Sequence, residues 1–142
     1  MAEITAIYRH YVETSVATFD TEAPGESFIA EKFGHMVDLG HPVVIAEVDG
    51  RVAGYGYAST YRPRPAYRFT CEDTVYLAPD SIGKGLGTAL LGEVISRSQA
   101  FGFKQMLGVI AAEVGPSIRL HEKLGFTIAA RHPDLGYKFD RW

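Results

Sequence analysis

Apolar residues recur with helical spacing over the first forty positions of the chain. In the first segment they fall every three or four residues, which places them on one face of a helix that ends near Glu13. These residues are Ile4, Ile7, Tyr8, Tyr11 and Val12. A second apolar stripe predicts another helix, with Pro24 in its first turn and with Gly40 and Pro42 just beyond its end. The pattern therefore predicts two helices before the first strand.

The periodicity then changes from helical to alternating. Two strand-like runs, 43–48 and 51–59, flank the dipeptide Asp49-Gly50, which is a strong signal for a β-hairpin. After a loop from Tyr61 to Ala66, alternation from Tyr67 to Leu77 predicts a long central strand. One face of this strand carries Tyr67, Phe69, Cys71, Val75 and Leu77, and the other carries Arg68, Thr70, Glu72, Thr74 and Tyr76.

The rest of the chain contains two more helical patterns and several short strand-like runs. A wide apolar stripe predicts a helix from about Gly85 to Gly102. A buried strand is predicted at 106–112 and a short helix at 116–124, followed by strand-like stretches at 126–130 and 137–139. This order of elements predicts a mixed α/β (α+β) fold built around one sheet.

Length and composition place the chain among ordinary globular proteins. It has 142 residues, of which 46% are hydrophobic and 22% charged, so we expect one domain over 1–142 and exclude a disordered or fibrous chain. The net charge of −3 and the scattered lysines and arginines argue against a sequence-independent nucleic-acid binder. No apolar run approaches the ~20 residues of a membrane-spanning helix, and the N-terminus shows no export signal.

Cysteine and histidine usage excludes two further kinds of site. A single cysteine, Cys71, rules out an internal disulfide and a cysteine-rich zinc site, and a disulfide-free chain fits the reducing cytoplasm. The alternation places Cys71 on the apolar face of its strand, which favours a buried packing residue over a nucleophile. No metal site is expected, because no metal-ligand spacing joins His10, His35, His41 and His132.

A glycine-rich stretch lies between the central strand and the following helix. Residues 80–88 read Asp-Ser-Ile-Gly-Lys-Gly-Leu-Gly-Thr. Alternating glycines let backbone N–H groups converge, and the helix N-terminus adds partial positive charge, which together suit a phosphate or pyrophosphate. The alternative is a turn that ends in a glycine cap. The spacing fits neither a P-loop, since Lys84 is followed by Gly85, nor a dinucleotide-binding fingerprint.

The stretch from Val75 to Gly87 resembles the acetyl-coenzyme A loop of the GNAT N-acetyltransferases. Further blocks, in the family's order along the chain, resemble its phosphinothricin (methionine sulfoximine) acetyltransferase branch. They are 11–15 (Tyr-Val-Glu-Thr-Ser), 66–68, Thr70 with Glu72, 117–126 (Ser-Ile-Arg-Leu-His-Glu-Lys-Leu-Gly-Phe) and 136–142. The resemblance implies a GNAT acyltransferase-like fold, and against the family pattern this chain is expected to lack the first and last strands.

The resemblance implies acetyl-CoA as the acetyl donor. Backbone groups of one strand segment are expected to pair with the pantetheine amides, and those of the glycine loop are expected to bind the pyrophosphate. The expected coenzyme-binding residues are Val75, Tyr76, Leu77, Gly83, Lys84, Gly85, Leu86, Gly87, Thr88 and Ser117. The chain departs from the family at Ile82, where the pattern has Gln or Arg, and at Val114, where an Asn usually helps hold the pantetheine arm.

Two residues are candidates for proton transfer. Glu72 matches the family's catalytic glutamate and is expected to act as the general base; the alternative is a solvated carboxylate on the sheet face. His121 stands where many GNAT enzymes have a tyrosine that protonates the departing thiolate, and a histidine titrates near neutrality. The alternative for His121 is a hydrogen-bonded packing residue.

The acceptor is expected to be a free amino acid held by the loop after the hairpin. Arg62 occupies the corresponding family loop and suits a carboxylate, because arginine binds it through two parallel hydrogen bonds. The alternative for Arg62 is a surface arginine. The expected substrate-binding residues are Arg62, Tyr61, Phe19, Asp73 and Thr74. The aromatic residues would wall the side-chain pocket, and the strand residues would flank the amine.

The resulting hypothesis is direct transfer of acetyl from acetyl-CoA to the α-amino group of a small amino-acid analogue. Phosphinothricin, methionine sulfoximine and methionine sulfone are the substrates that the resemblance implies. Another small-amine or protein N-acetyltransferase is the alternative among enzymes, and a catalytically defective coenzyme-binding or interaction module is the alternative outside them. The resemblance also implies a homodimer. Composition, charge and the lack of an export or spanning segment predict a cytoplasmic protein with no nucleic-acid or membrane partner.

Overall fold

The computed structural model describes residues 1–142, and its four strands form one mixed sheet in the order β1-β2-β3-β4. Strand β2 runs antiparallel to both β1 and β3, and β4 runs parallel to β3. The elements are α1 (Ala2–Thr14), α2 (Glu26–Asp38), β1 (Val43–Val48), β2 (Arg51–Thr60), β3 (Thr70–Leu77), α3 (Leu86–Phe101), β4 (Gln105–Leu107) and α4 (Gly115–Lys123). The prediction of a mixed α/β fold around one sheet is confirmed.

Helices cover both faces of the sheet. Helices α1 and α2 pack on one face through a cluster that contains Ile4, Ile7, Ile29, Phe33, Met36, Tyr55 and Tyr57. Helix α3 covers the opposite face, where Val94 packs with Ala58, Cys71 and Phe103. A methyl group at Gly56 would come within 3.0 Å of Val94 Cγ2, so α3 packs directly on the sheet backbone. None of the helices is both long and apolar enough to cross a lipid bilayer.

Strands β3 and β4 separate soon after they meet. Their parallel pairing covers three residues on each strand and ends at the pair Glu72 and Leu107. Beyond this pair, β3 continues to Leu77 while still bonded to β2 on its other edge. The edge of β3 from Asp73 to Leu77 therefore borders a gap instead of a neighbouring strand.

Two predicted elements begin later than expected. The central strand was expected from Tyr67, but β3 begins at Thr70 because residues 65–67 form a short 3₁₀ turn. Tyr67 and Phe69, expected on the apolar face, lie outside the strand and are exposed. Helix α2 begins at Glu26 with Gly25 as its N-cap, so Pro24 precedes the helix.

The predictions for the last strands were wrong. Strand β4 covers only Gln105–Leu107, and the chain that follows leaves the sheet, with Val109 exposed. A strand needs a paired neighbour, and β3 no longer offers one beyond Glu72. The stretches 126–130 and 137–139 form no strand; they contain only one isolated bridge, between Lys138 and Arg141.

The C-terminal segment is instead held against the loop after α1 by hydrogen bonds. The ammonium group of Lys138 donates to the carbonyl oxygens of Ser15 and Thr18, both at 2.8 Å, and Lys138 is only 5% exposed. Arg141 also forms a two-bonded ion pair with Glu113, at 2.6 and 2.8 Å, on the protein surface. The buried lysine contributes more to stability than the exposed ion pair, because solvent screens surface charges.

Replacing Lys138 with methionine removes both hydrogen bonds while keeping much of the side-chain volume. We expect the free energy of unfolding to fall by about 2 kcal/mol, since two carbonyl groups lose a charged donor. Urea unfolding followed by circular dichroism measures this change. The exposed Lys104 is the matched control, and Lys104→Met should leave the midpoint unchanged. Equal midpoints for Lys138→Met and the wild type would show that the C-terminal segment does not depend on this contact.

Candidate active site

The gap beside β3 presents backbone groups rather than side chains. Beyond the last pair with β4, Val75 and Leu77 present their N–H and C=O groups on this edge, whereas the backbone of Tyr76 between them faces β2. The Tyr76 ring packs against Tyr8 and Tyr11 on the sheet face, with centroids 5.4 and 5.0 Å away. The unpaired edge of an extended strand can take up an extended ligand through main-chain hydrogen bonds.

One of these backbone groups already has a partner. The carbonyl oxygen of Leu77 accepts a hydrogen bond of 2.8 Å from the Tyr11 hydroxyl. A carbonyl oxygen has two lone pairs, so this contact leaves room for a second donor. Tyr11 thereby links α1 to the far end of the gap.

The glycine loop lies where β3 leads into α3. Gly83 and Gly85 have φ angles of 81° and 80°, a left-handed conformation that favours glycine. The five consecutive N–H groups from Gly83 to Gly87 donate no hydrogen bond within the protein. Lys84 is exposed in the same loop. Free amides at the start of a 16-residue helix form the kind of site that binds a phosphate or pyrophosphate.

Glu72 lies at the other end of the gap, in the last pair that joins β3 to β4. Its side chain is half-buried on the face that α1 and α2 cover, and it shares this face with Thr74. Burial raises the pKa of Glu72 above that of an ordinary glutamate, and the charge of Asp73 raises it further. The charges of Arg62 and Lys32 oppose this increase. A carboxylate with a raised pKa is a better proton acceptor near neutral pH.

Arg62 and Tyr61 follow the end of β2, close to Glu72. The Tyr61 N–H donates to the Thr70 carbonyl at 3.1 Å, which fixes the start of the loop beside β3. The Arg62 guanidinium carbon lies 5.0 Å from the centroid of the Tyr61 ring. Arg62 is exposed, so its guanidinium is free to bind a ligand.

Lys32 is a residue of this region that the sequence did not indicate. It projects from α2, and its ammonium group donates to the Tyr57 hydroxyl at 2.8 Å. Tyr57 pairs with Thr74 across the β2–β3 ladder, which places Lys32 over the same face as Glu72. A lysine on the polar side of a helix has no distinguishing sequence signal, so only the fold could reveal this position.

Phe19 lies at the opposite end of the face from Arg62. Its loop is held by the Ala17 carbonyl, which accepts a hydrogen bond of 3.3 Å from the Tyr76 hydroxyl. The Phe19 ring lies directly against Gly136, where an added methyl group would clash with it, and the ring is still 54% exposed. Phe19 therefore belongs to the Tyr76 end of β3, and its expected role as a pocket wall stays a prediction.

Asp73 and His121 face the other side of the sheet. His121 Nε2 lies 3.0 Å from Asp73 Oδ2, and His121 Nδ1 lies 2.7 Å from the Ser117 carbonyl oxygen. The Asp73 side chain is only 2% exposed. Alternation along β3 separates Asp73 from Glu72 and Thr74, so the three residues do not form one surface as expected. The Ser117 contact comes from its backbone, within α4.

Most of the chain matches a known protein family. Residues 4–126 match the Acetyltransferase (GNAT) family. The chain belongs to this family. It is 42% identical to a phosphinothricin N-acetyltransferase of Alcaligenes faecalis, over 98% of this chain and 71% of that protein. It is 38% identical to an L-methionine sulfoximine/L-methionine sulfone acetyltransferase of Salmonella typhimurium, over 99% of this chain and 82% of that protein.

A solved GNAT structure matches the fold closely. It is the crystal structure of a phosphinothricin acetyltransferase from Sinorhizobium meliloti in complex with acetyl-CoA, with a TM-score of 0.96 and 44% sequence identity. The match covers 99% of this chain and 77% of that one. The prediction of a GNAT fold is confirmed.

Proposed function

We propose that this GNAT enzyme acetylates the α-amino group of a small amino-acid analogue of the phosphinothricin or methionine sulfoximine type, with acetyl-CoA as the donor. The observation that carries the proposal is the position of Glu72. It is a half-buried carboxylate with a raised pKa, at the point where the gap beside β3 opens, and two cationic residues act on it. The identities of 42% and 38% with enzymes named for these acceptors support the substrate class.

The gap and the glycine loop suit acetyl-CoA. The unpaired edge from Val75 to Leu77 would hold the pantetheine arm, and the free amides from Gly83 to Gly87 would hold the pyrophosphate. Lys84, Leu86 and Thr88 belong to the same loop and helix start. When bound, acetyl-CoA supplies an acetyl group activated as a thioester.

Glu72 performs the first proton transfer in this proposal. Its carboxylate takes a proton from the ammonium group of the acceptor, which frees the nitrogen lone pair for attack on the thioester carbonyl. The C–N bond forms and the nitrogen releases its second proton to solvent, while the C–S bond breaks and the thiolate that leaves takes one proton, for which His121 is the candidate donor. Fixed geometry contributes as well, because the strand edge and the acceptor loop hold the two reactants together.

The acceptor is recognised by the two cations near Glu72. Arg62 would bind the α-carboxylate through two parallel hydrogen bonds. Lys32 would face the polar group on the acceptor side chain, such as a phosphinate or sulfoximine oxygen. Thr74 and Tyr61 complete this surface, and Phe19 would close it at the Tyr76 end of the strand. An acceptor with two oxygen-bearing ends uses both cations, whereas a simple amine uses neither.

The proposal extends to assembly and location. We place the enzyme in the cytoplasm as a homodimer; the reduced, buried thiol of Cys71 fits a reducing compartment. The edge strand β4 is short, and its last residue Leu107 and the following Val109 are exposed apolar residues that a second copy would cover. The mass of the protein in solution tests this proposal: a dimer has twice the 15.6 kDa of one chain.

Thiol release from acetyl-CoA with a panel of amines tests the function. The panel contains phosphinothricin, methionine sulfoximine, methionine sulfone, a polyamine and a peptide with a free N-terminus. We expect turnover with the first three and little with the last two, because only the first three engage both cations. Turnover confined to the polyamine or the peptide would support the alternative of another small-amine or protein N-acetyltransferase. Acetyl-CoA binding without turnover on any amine would support a binding module.

Glu72→Gln in the same assay tests the base. We expect kcat to fall by about 100-fold or more, with the KM for acetyl-CoA nearly unchanged. In the wild type, kcat/KM should fall as the pH drops through the raised pKa of Glu72, because the protonated carboxyl cannot accept a proton. This fall of kcat/KM at low pH should be missing in Glu72→Gln. The exposed Glu47 provides the matched control, Glu47→Gln. A variant that keeps normal turnover at every pH would exclude Glu72 from the mechanism.

Arg62→Ala tests recognition of the acceptor. We expect the KM for phosphinothricin or methionine sulfoximine to rise about tenfold or more, and the KM for acetyl-CoA to stay nearly constant, because Arg62 lies on the acceptor side of β3. Lys32→Met should raise the same KM, most strongly for acceptors with a charged side chain. Arg64→Ala, in the same exposed loop, is the control. Parallel increases in both KM values for Arg62→Ala would point to a structural role.

A further inference from the structure

His121 presents both of its ring nitrogens to oxygen acceptors. The Ser117 carbonyl, 2.7 Å from Nδ1, can only accept, so Nδ1 must carry a hydrogen. The Asp73 carboxyl oxygen lies 3.0 Å from Nε2. If the carboxyl group is ionised, it also only accepts, and Nε2 must carry a second hydrogen. Two N–H groups on one imidazole make it a cation.

The surroundings leave Asp73 as the charged group that faces His121. Two uncharged neighbours also lie against the ring: Gly108, and Phe126, whose ring centroid is 4.9 Å away. Cys71 shares the strand face with Asp73, but burial raises the pKa of its thiol to about 11, so it is neutral. The charged residues of α4 itself, Arg119, Glu122 and Lys123, are exposed.

Burial and the Asp73 carboxylate shift the pKa of His121 in opposite directions. Burial by itself lowers the pKa of His121, because a charged ring loses its hydration. The hydrogen bond and charge of Asp73, together with the Ser117 carbonyl, outweigh burial and raise the pKa above the ordinary histidine value of 6.5. This direction agrees with a ring that has acceptors on both nitrogens.

The pair stands at the point where β3 and β4 separate. Asp73 is the first residue of β3 after the last pair with β4, and Gly108 is the first residue after β4. A methyl group at Gly108 would lie 2.9 Å from His121 Cδ2 and 3.2 Å from Asp73 Oδ1. The backbone at Gly108 therefore packs closely against both side chains, and no side chain fits at this position.

We propose that Asp73 is a positioning residue for the transfer reaction: its carboxylate, with the Ser117 carbonyl, holds His121 as an imidazolium in one orientation at the mouth of the gap. This inference rests on the proposed function, in which His121 is the proton donor for the leaving thiolate. In that step one N–H bond of the imidazolium breaks and an S–H bond forms. The ring becomes neutral, and solvent restores its second proton.

Nuclear magnetic resonance of the ¹⁵N-labelled imidazole tests the charge state without any substrate. The wild type should show both ring nitrogens protonated at pH 7, and a titration above 6.5. Asp73→Asn should shift the titration to lower pH, because the amide keeps an acceptor oxygen but loses the negative charge. The exposed Asp38 gives the control, Asp38→Asn, which should titrate like the wild type. A His121 ring that is singly protonated at pH 7 in the wild type would overturn the proposal.

Stability gives an independent readout of the same pair. Because the pKa of His121 is raised on folding, the pair's contribution is fully present below about pH 6.5, the unfolded value. It is lost as the pH rises through the higher folded value. The difference in unfolding free energy between wild type and Asp73→Asn should therefore shrink with rising pH. If the difference in unfolding free energy does not change with pH, Asp73 stabilises the protein through packing and not through the charge of His121.

Kinetics decide whether the pair acts in catalysis. We expect Asp73→Asn to lower kcat by about 10- to 100-fold and to move the alkaline limb of its pH profile to lower pH, with the KM for acetyl-CoA nearly unchanged. Asp73→Glu should restore part of kcat. Gly108→Ala, which displaces the ring without removing a charge, should also lower kcat. A shifted His121 titration with normal kcat in Asp73→Asn would refute the positioning role. Absence of turnover in the wild type would refute the proposed function alone.

Discussion

The separation of β3 from β4 after Glu72 and Leu107 is the constraint on which the site depends. A continuous parallel pair would satisfy the backbone groups of β3 and leave no room for an extended ligand. Here the pairing covers three residues on each strand, and the edge from Asp73 to Leu77 stays open. The glycine loop begins just past the end of this edge, so the open strand and the free amides form one continuous surface.

The alternation of side chains along β3 divides the chemistry between the two faces of the sheet. Glu72 faces α1 and α2, where Arg62 and Lys32 act on its pKa. Asp73, the next residue, points to the other face and bonds to His121 from α4. One strand thus places Glu72, the proposed base, and Asp73, the partner of the proposed acid His121, on opposite faces of the sheet at the same opening. A slip of the β2–β3 register by one residue would exchange them.

Local signals in the sequence predicted the elements that depend on local chemistry. The hairpin at Asp49-Gly50 and the helix between Gly85 and Gly102 were placed correctly, because glycines with positive φ mark their ends. The buried state of Cys71 also followed from alternation, and it is confirmed by its complete burial. The resemblance to GNAT enzymes then identified the fold, which periodicity alone left as a mixed sheet.

Features that depend on tertiary contacts could not be predicted in the same way. Strand β4 was expected to reach Ala112, because its apolar run continues, but pairing stops where β3 and β4 diverge. Lys32 carries no signal until α2 packs over the sheet. Asp73 was expected beside the amine with its sequence neighbours, yet the pleat turns it away toward His121. In each case the missing information was the identity of a partner distant in sequence.

Amide hydrogen exchange with and without acetyl-CoA tests the central claim most directly. If the open edge and the glycine loop form the coenzyme site, acetyl-CoA should slow exchange at the amides of Val75, Leu77 and Gly83–Gly87. The exposed loop 61–68 should exchange as fast as before until an acceptor is added. Unchanged exchange at the open edge and the glycine loop, with slowing elsewhere, would contradict the account.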